Sequence, residues 1–116
     1  MWQVRFDVEE CEGLGVLTTR HHRLVRFDGI GSVVFSYARK GNGIDLHFAA
    51  SKQALRHLRG VIIVFIGWLF ASYEWCEMIF AVIVPRSIER LALSLGFEFI
   101  ASDGVSNAYI LAREKL

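Results

Sequence analysis

Apolar and polar residues alternate at the start of the chain. The residues on the apolar side of the alternation are Trp2, Val4, Phe6 and Val8. Because successive side chains of a strand point to opposite faces, this pattern predicts a half-buried β-strand. The stretch 13–25 has no clear period, and we interpret it as mostly helix or loop before a turn at 28–31.

A β-hairpin is predicted next. Two strand-like segments, 32–39 (SVVFSYAR) and 44–50 (IDLHFAA), flank the residues 40–43 (KGNG). Asn-Gly readily takes the positive φ angles that tight hairpin turns need. The two segments are therefore expected to pair antiparallel.

A long helix is predicted from Ser51, whose hydroxyl can cap it, to about Tyr73. Its first half is basic and its second half, 61–73, is mostly apolar. A helix that is apolar on every face must be covered on every face, by the sheet and by a second element or a partner. A membrane span needs about 20 apolar residues. Charged residues flank this shorter run, so we predict a buried helix and no membrane span.

The remaining segments complete a mixed sheet. Segment 78–84 (MIFAVIV) predicts a strand buried on both faces, stopped by Pro85. A short helix follows, with Arg86, Glu89 and Arg90 pointing away from its apolar side. Gly96 is expected to close that helix, and 97–100 with 107–112 to form a last hairpin.

This order of elements predicts the fold class. The strand-helix-strand unit 44–84 should contain parallel strands, because such crossovers are right-handed and return to the same sheet. Hairpins precede and follow it. We predict an α/β (α+β) fold with a mixed, mostly antiparallel sheet and helices on both faces, as a single domain over residues 1–116.

The composition of the chain makes some functional classes more expected than others. Apolar residues make up 53% of the 116 residues, which indicates a dense core or an apolar surface that faces a partner. With a formal net charge of +1, bulk electrostatic binding of nucleic acid is not expected. Cys11 and Cys76 have no metal or redox spacing and are typical of reduced thiols in a cytoplasmic protein. The first residues lack the apolar run of a secretory signal.

The segment 43–97 resembles the GNAT superfamily of acyl-CoA N-acyltransferases. The similarity lies in GNGIDLHFAAS (41–51), in WLF and VIVP, and in the helix that ends in Gly96-Phe97. These features are most similar to a phage branch of short GNAT-like chains that includes phage head-assembly proteins. The resemblance implies the GNAT fold, acetyl-CoA or CoA as cofactor, and transfer of an acyl group to an amine.

The resemblance also implies a site. His47 or Asp45 would deprotonate the acceptor amine, and the two share one strand face. The residues placed at the CoA phosphates are Lys52, Arg56, Arg59 and Gly60. The family's glycine-rich loop is reduced to Gly60, and Ala92 replaces the tyrosine that protonates the leaving thiolate. His47 could instead be a packed core histidine, and the basic residues a solvated first turn.

Other candidates remain open. The basic cluster Arg20, His21, His22, Arg23 and Arg26 could bind phosphate or an acidic partner, or form a solvated loop. Cys11, His21 and His22 lack familiar metal spacing, and no metal site is predicted. Trp68, Tyr73 and Trp75 could stack on a ligand or serve as core or interface anchors. Tyr37 and Tyr109 are the remaining tyrosines that could act as an acid.

Two functions are consistent with these patterns. The first is a phage or prophage acyltransferase in the host cytoplasm. The second is a catalytically inactive GNAT-like protein that acts in virion head assembly. In the second case, helix 61–73 would dock on a second copy or on virion proteins, with Trp68 and Phe70 exposed.

Overall fold

The fold is described from a computed structural model that covers residues 1–83 and 86–115. The strands are β1 (Gln3–Phe6), β2 (Arg23–Gly29), β3 (Gly31–Lys40), β4 (Gly43–Ala50), β5 (Met78–Ile83), β6 (Glu98–Ser102) and β7 (Asn107–Ala112). The helices are α1 (Leu58–Ser72) and α2 (Arg86–Ser94), and 3₁₀ turns cover Glu10–Glu12, Lys52–His57 and Arg113–Lys115.

The strands form one sheet in the order β1-β2-β3-β4-β5-β7-β6. β4 and β5 run parallel, with Gly43 opposite Met78 and Leu46 opposite Ala81. The pairs β1–β2, β2–β3, β5–β7 and β6–β7 are antiparallel. The predicted mixed, mostly antiparallel sheet with a central β4-α1-β5 unit is therefore confirmed.

The chain forms two compact units, and the first comprises Met1–Ala38 and His47–Phe65. Its core is an aromatic cluster. Phe35 of β3 stacks on Phe65 of α1 with ring centroids 4.1 Å apart, and Phe27 of β2 meets both rings edge-on. These contacts hold the first half of α1 against β2 and β3.

The second unit comprises Arg39–Leu46 and Ile66–Leu116. Ile79 of β5 and Leu111 of β7 are register partners, and both are fully buried. Glu89 of α2 accepts a hydrogen bond from the Tyr109 hydroxyl at 2.7 Å and another from the Asn107 amide. The prediction that Glu89 points away from the core is wrong, because its carboxylate anchors α2 to β7.

The C-terminus of α2 ends as predicted. Gly96 has a φ angle of +98°, in the left-handed region. The Gly96 N–H donates to the Leu93 carbonyl and the Phe97 N–H to the Ala92 carbonyl, each at 3.1 Å. This is a Schellman cap, which glycine favours because it lacks a Cβ.

Two strand predictions are wrong. Part of the stretch 13–25 belongs to β2, whose adjacent buried residues Leu24 and Val25 break the alternation that would have revealed it. β1 is exposed along its whole length, although half-burial was predicted. As an outer strand of the sheet, it has a neighbour on one side only.

The start of the long helix also differs from the prediction. Residues Lys52–His57 form a 3₁₀ turn before α1, and Ser51 makes no capping hydrogen bond. The Ser51 hydroxyl instead accepts the Ser32 N–H at 2.9 Å. In β5, Val82 is exposed, so burial on both faces is incomplete, and the predicted stop at Val84 and Pro85 lies outside the described residues.

The stretch Lys52–Ser72 is long and apolar enough to span a membrane, with a mean hydropathy of 1.6 in its best window. Buried core helices pass the same test, and 44% of that window is buried here. Phe70 is buried and Trp68 half-buried, contrary to the expectation that both are exposed. The exposed large apolar residues of α1 are instead Ile63 and Val64.

Candidate functional site

β4 presents Asp45 and His47 on one face. Ile44 and Leu46 point into the core, whereas Asp45 and His47 are half-buried on the opposite side. Alternate residues of a strand share a face, so the sequence prediction for this pair is confirmed as far as their direction is concerned.

His22 lies beside His47, a contact that the sequence did not predict. The two ring centroids are 5.6 Å apart. A side-chain nitrogen of each lies within 4.8 Å of the other. His22 closes a short turn in which its N–H donates to the Thr19 carbonyl at 3.0 Å. No spacing in the sequence signals this pair, because the two residues lie far apart in the chain, His22 just before β2 and His47 on β4.

The turn also fixes the His22 ring. Its Nδ1 is 2.8 Å from the Thr19 hydroxyl and 3.3 Å from the Thr19 backbone nitrogen. Because the Thr19 backbone N–H can only donate, the His22 Nδ1 acts as a hydrogen-bond acceptor in this turn.

A cavity of about 410 Å³ opens next to His22. It is lined by the loop between β1 and β2 and by the start of β2. The polar residues on its wall are Asp7, Glu10, Thr18, Thr19, Arg20, His22 and Arg23. The cavity is large enough for a small polar molecule and carries groups of both charges.

The predicted phosphate-binding residues surround the start of α1. Lys52 and Arg56 lie on the 3₁₀ turn, and Arg59 and Gly60 on the first turn of α1, all exposed. Within residues 1–83 and 86–115, none of the three cations forms a salt bridge. The space where a Cβ would stand on Gly60 is open. These unpaired charges could accept an anion without breaking an existing ion pair.

Residues Ser51 and Ala54, at the start of the 3₁₀ turn, pack closely against the turn between β2 and β3. Ser51 and Ser32 are joined by two hydrogen bonds, each of 2.9 Å. A Cβ on Gly31 would lie 2.5 Å from the Ser51 hydroxyl and 2.6 Å from the Ala54 nitrogen. The Ser32 hydroxyl in turn donates to Asp28 at 2.6 Å. The segment that carries Lys52 and Arg56 is therefore held close to the turn between β2 and β3.

The predicted basic cluster at 20–26 is not one free patch. Arg23 makes two hydrogen bonds to the Asp7 carboxylate, and Arg26 pairs with Asp28 at 3.0 Å. The hydrogen bond from Arg23 holds the pKa of Asp7 below its usual range. Cys11 is exposed and approaches the Glu9 carboxylate.

The tyrosine candidates for an acid are buried. The hydrogen bond from Tyr109 to Glu89, reinforced by burial, raises the pKa of Tyr109, because a phenolate there would face a carboxylate. Tyr37 is buried in the first unit. Ala92, at the position of the family's tyrosine, is buried as well. The sequence did not predict the Glu89–Tyr109 pair, which joins two distant segments.

The predicted aromatic cluster packs on itself. Tyr73 lies between Trp68 and Trp75, at centroid distances of 6.1 and 5.4 Å. The Arg39 guanidinium covers Trp75 at 4.0 Å from the ring centroid. The arrangement is that of packing anchors rather than of an open stacking platform.

Similarity to known proteins is found in the fold and not in the sequence. No protein-family model and no curated protein sequence matches the chain. Its structure is similar to that of the Campylobacter jejuni N-acetyltransferase PseH, with a TM-score of 0.65 and 12% identity over 82% of this chain and 70% of that one. The same enzyme in complex with acetyl coenzyme A gives a TM-score of 0.64.

A weaker similarity, with a TM-score of 0.49 and 14% identity, is to Mycobacterium smegmatis RimJ in complex with CoA-disulfide; it covers 87% of this chain and 55% of that one. With identities this low, the likeness concerns the fold. The chain has the fold of the GNAT acetyltransferases, as its sequence predicted.

Proposed function

We propose that the protein transfers an acyl group, in the simplest case acetyl, from acyl-CoA to an amine. The observation that carries this proposal is the group of unpaired cations Lys52, Arg56 and Arg59. They directly follow β4, the strand that bears His47. The similarity to the acetyl-CoA complex of PseH supports it.

The cations would hold the phosphates of CoA through their side chains. The Leu58 N–H at the start of α1 already donates to the Leu55 carbonyl, since the 3₁₀ turn runs directly into the helix. This departs from the glycine-rich loops of the family, in which backbone N–H groups approach the pyrophosphate. Electrostatic attraction to three exposed side chains would replace that close approach.

His47 would serve as the base. Acyl-CoA, when bound, supplies the acyl group as a thioester. The amine nitrogen forms a bond to the carbonyl carbon, the carbon–sulfur bond breaks, and the proton lost by nitrogen passes to the His47 imidazole. Because Ala92 stands where the family has a tyrosine, we propose that water protonates the leaving sulfur.

The cavity beside His22 is proposed as the acceptor side. It lies in the same unit as His47, and His22 is common to the cavity wall and the histidine pair. The wall carries the acidic side chains of Asp7 and Glu10 as well as the basic side chains of Arg20 and Arg23. A polar amine of small size fits this volume and charge.

Isothermal titration of acetyl-CoA and CoA into the purified protein tests the cofactor step. We expect micromolar binding to the native chain and much weaker binding to Arg56→Glu. Arg90→Glu, which reverses an exposed charge on α2, is the matched control and should bind normally. Absence of binding to the native chain at millimolar ligand would overturn the proposal.

Acetyl transfer from acetyl-CoA to a panel of polyamines and amino sugars tests the catalytic step. His47→Ala should abolish turnover while the melting temperature stays nearly unchanged. His21→Ala removes an exposed histidine and should keep its activity. If His47→Ala mainly lowers the melting temperature, His47 is a packed core residue and the base assignment is wrong.

Self-association through α1 is a second candidate function. Ile63 and Val64 are exposed between Gly60 and Gly67, and nothing lies near a Cβ built on either glycine. Small residues beside branched apolar ones allow two helices to pack closely. Virion head assembly in a host cytoplasm, which the phage-like residues imply, belongs to this candidate and remains a proposal.

A further inference from the structure

The cavity beside His22 carries charged side chains of both signs. Its wall contains the acidic residues Asp7 and Glu10 and the basic residues Arg20 and Arg23. All of them lie in the first compact unit. Their formal charges cancel, so the wall as a whole favours neither a polycation nor a polyanion. The chemistry of a ligand therefore depends on which of these charges are already paired.

Two of the four charges neutralise each other. The Arg23 Nε donates to one Asp7 carboxylate oxygen at 3.0 Å, and a terminal nitrogen of Arg23 donates to the other at 2.9 Å. This pairing satisfies both oxygens of the carboxylate at once. Asp7 follows β1 directly and has a φ angle of +51°, a conformation that aspartate adopts more readily than most residues. The pair is thus part of the wall itself, and a ligand would meet the other two charges.

Glu10 and Arg20 carry those two charges. In the part of the chain that the structure describes, neither side chain forms a hydrogen bond or a salt bridge, and both are exposed. Their backbones are nevertheless held in turns. Glu10 begins a 3₁₀ turn in which its carbonyl accepts the Gly13 N–H at 3.0 Å, and Arg20 lies in the turn that the His22 N–H closes on the Thr19 carbonyl. Two hydrogen-bonded turns therefore present one carboxylate and one guanidinium at the cavity.

We propose that this cavity binds a small zwitterion, an amine that also carries a carboxylate. The ammonium group of the ligand donates to the Glu10 carboxylate, and its carboxylate accepts two hydrogen bonds from the Arg20 guanidinium. A simple amine leaves Arg20 without an anion, and a simple acid leaves Glu10 without a cation. Binding of the zwitterion does not require CoA. That the bound amine is also the acyl acceptor rests on the proposed function, which this inference narrows to amino acids and related compounds.

A series of small molecules tests the inference on the full chain in the absence of acyl-CoA. The zwitterions are free glycine, β-alanine, γ-aminobutyrate and ε-aminocaproate, in which the distance between the two charges increases stepwise. Each is compared with the amine that lacks its carboxylate and with the acid that lacks its amine; for γ-aminobutyrate these are propylamine and butyrate. Backbone amide chemical shifts measure binding, with the amides of Thr19 and Arg20 as reporters. We expect one zwitterion to bind about fivefold or more tightly than its matching amine and acid, because it forms a second ion pair.

Two substitutions identify which charge meets which group of the ligand. Arg20→Gln should lower the affinity for the zwitterion to that for the matching amine, and should leave the affinity for the amine unchanged. Glu10→Gln should lower it to that for the matching acid, and should leave the affinity for the acid unchanged. Arg90→Gln and Glu74→Gln neutralise exposed residues of the second unit and should bind as the native chain does.

Equal affinities for the zwitterion, the amine and the acid would overturn the inference, and so would equal losses in the wall variants and the controls. Absence of any shift at tens of millimolar zwitterion would overturn it as well. A chain that binds the zwitterion but not CoA would support this inference and contradict the proposed acyl transfer. A chain that binds CoA but no zwitterion would leave acyl transfer to another class of amine as the proposal.

Discussion

At the level of single residues, the Arg113 side chain makes several hydrogen bonds that stabilise the second unit. Its Nε donates to the Cys76 carbonyl at 2.6 Å, and one terminal nitrogen donates to the Phe70 and Tyr73 carbonyls at 2.9 and 2.7 Å. Its guanidinium also covers the Phe70 ring at 4.9 Å. Carbonyls at the end of a helix lack intrahelical partners, so Arg113 caps α1 from the far end of the chain.

Arg113→Ala should therefore destabilise the protein by about 2 kcal/mol or more, since several partly buried carbonyls lose a charged donor at once. Urea unfolding followed by tryptophan fluorescence measures the change. Arg90→Ala, on the exposed side of α2, should shift stability by less than about 0.5 kcal/mol. Equal effects of the two substitutions would show that Arg113 does not cap α1.

Asp28 makes the stability of the first unit depend on pH. The hydrogen bond from the Ser32 hydroxyl, with further bonds from Arg26 and Arg5, holds the pKa of Asp28 below its usual range. Since the folded-state pKa is the lower one, this stabilisation is present above the unfolded-state pKa near 4. It is lost as the pH falls through the lowered folded-state value.

Asp28→Asn should thus reduce the free energy of unfolding at pH 7 and have a smaller effect at pH 3. Urea midpoints at the two pH values give the comparison. Glu74→Gln neutralises an exposed carboxylate and serves as the control. A loss of equal size at both pH values would mean that packing, rather than the charge of Asp28, carries the effect.

At the level of elements, the turn between β2 and β3 decides where the proposed phosphate-binding segment lies. Gly31 has a φ angle of +75°, and a Cβ there would collide with Ser51 and Ala54. Gly15 has the same φ angle but open space around it. Substitution of both glycines therefore separates the free-energy cost of the backbone conformation, which they share, from the cost of the collision, which only Gly31 has.

Gly31→Ala should destabilise the protein by clearly more than the roughly 1 kcal/mol expected for alanine at a positive φ, whereas Gly15→Ala should cost only about that amount. Thermal unfolding measures both. Because the collision displaces the 3₁₀ turn, Gly31→Ala should also weaken CoA binding and Gly15→Ala should not. Similar losses of stability in Gly31→Ala and Gly15→Ala would argue against close packing of residues 51–54 on Gly31.

At the level of the whole molecule, the exposed apolar face of α1 makes a prediction about self-association. Val64→Glu places a charge on this face without touching the core, so a dimer held there should dissociate. Trp68→Glu would be a poorer test, because it would disturb the packing of Trp68 against Tyr73 and would not distinguish dissociation from unfolding.

Sedimentation velocity over a range of concentrations distinguishes the outcomes. A native dimer that becomes monomeric in Val64→Glu supports the α1 interface, and Glu74→Lys, an exposed change beyond the end of α1, is the charge control. A native chain that is monomeric at every concentration would exclude self-association through α1.

The sequence determined the features that depend on neighbours along the chain. The parallel β4-α1-β5 unit, the cap at Gly96 and the shared face of Asp45 and His47 all follow from local periods and turn residues. The basic start of the helical segment was visible for the same reason. These features need only short-range sterics and the alternation of side chains.

Tertiary structure alone decided what depends on distant segments. β2 was not predicted, because two adjacent buried residues break the alternation of apolar and polar positions. Ser51 was wrongly predicted to cap the helix, because its hydrogen-bond partner Ser32 lies on another strand. The contact of His22 with His47 also joins two segments that lie far apart in the chain. Such contacts are fixed by sheet order and register, which a local pattern does not encode because the paired residues lie far apart in the chain.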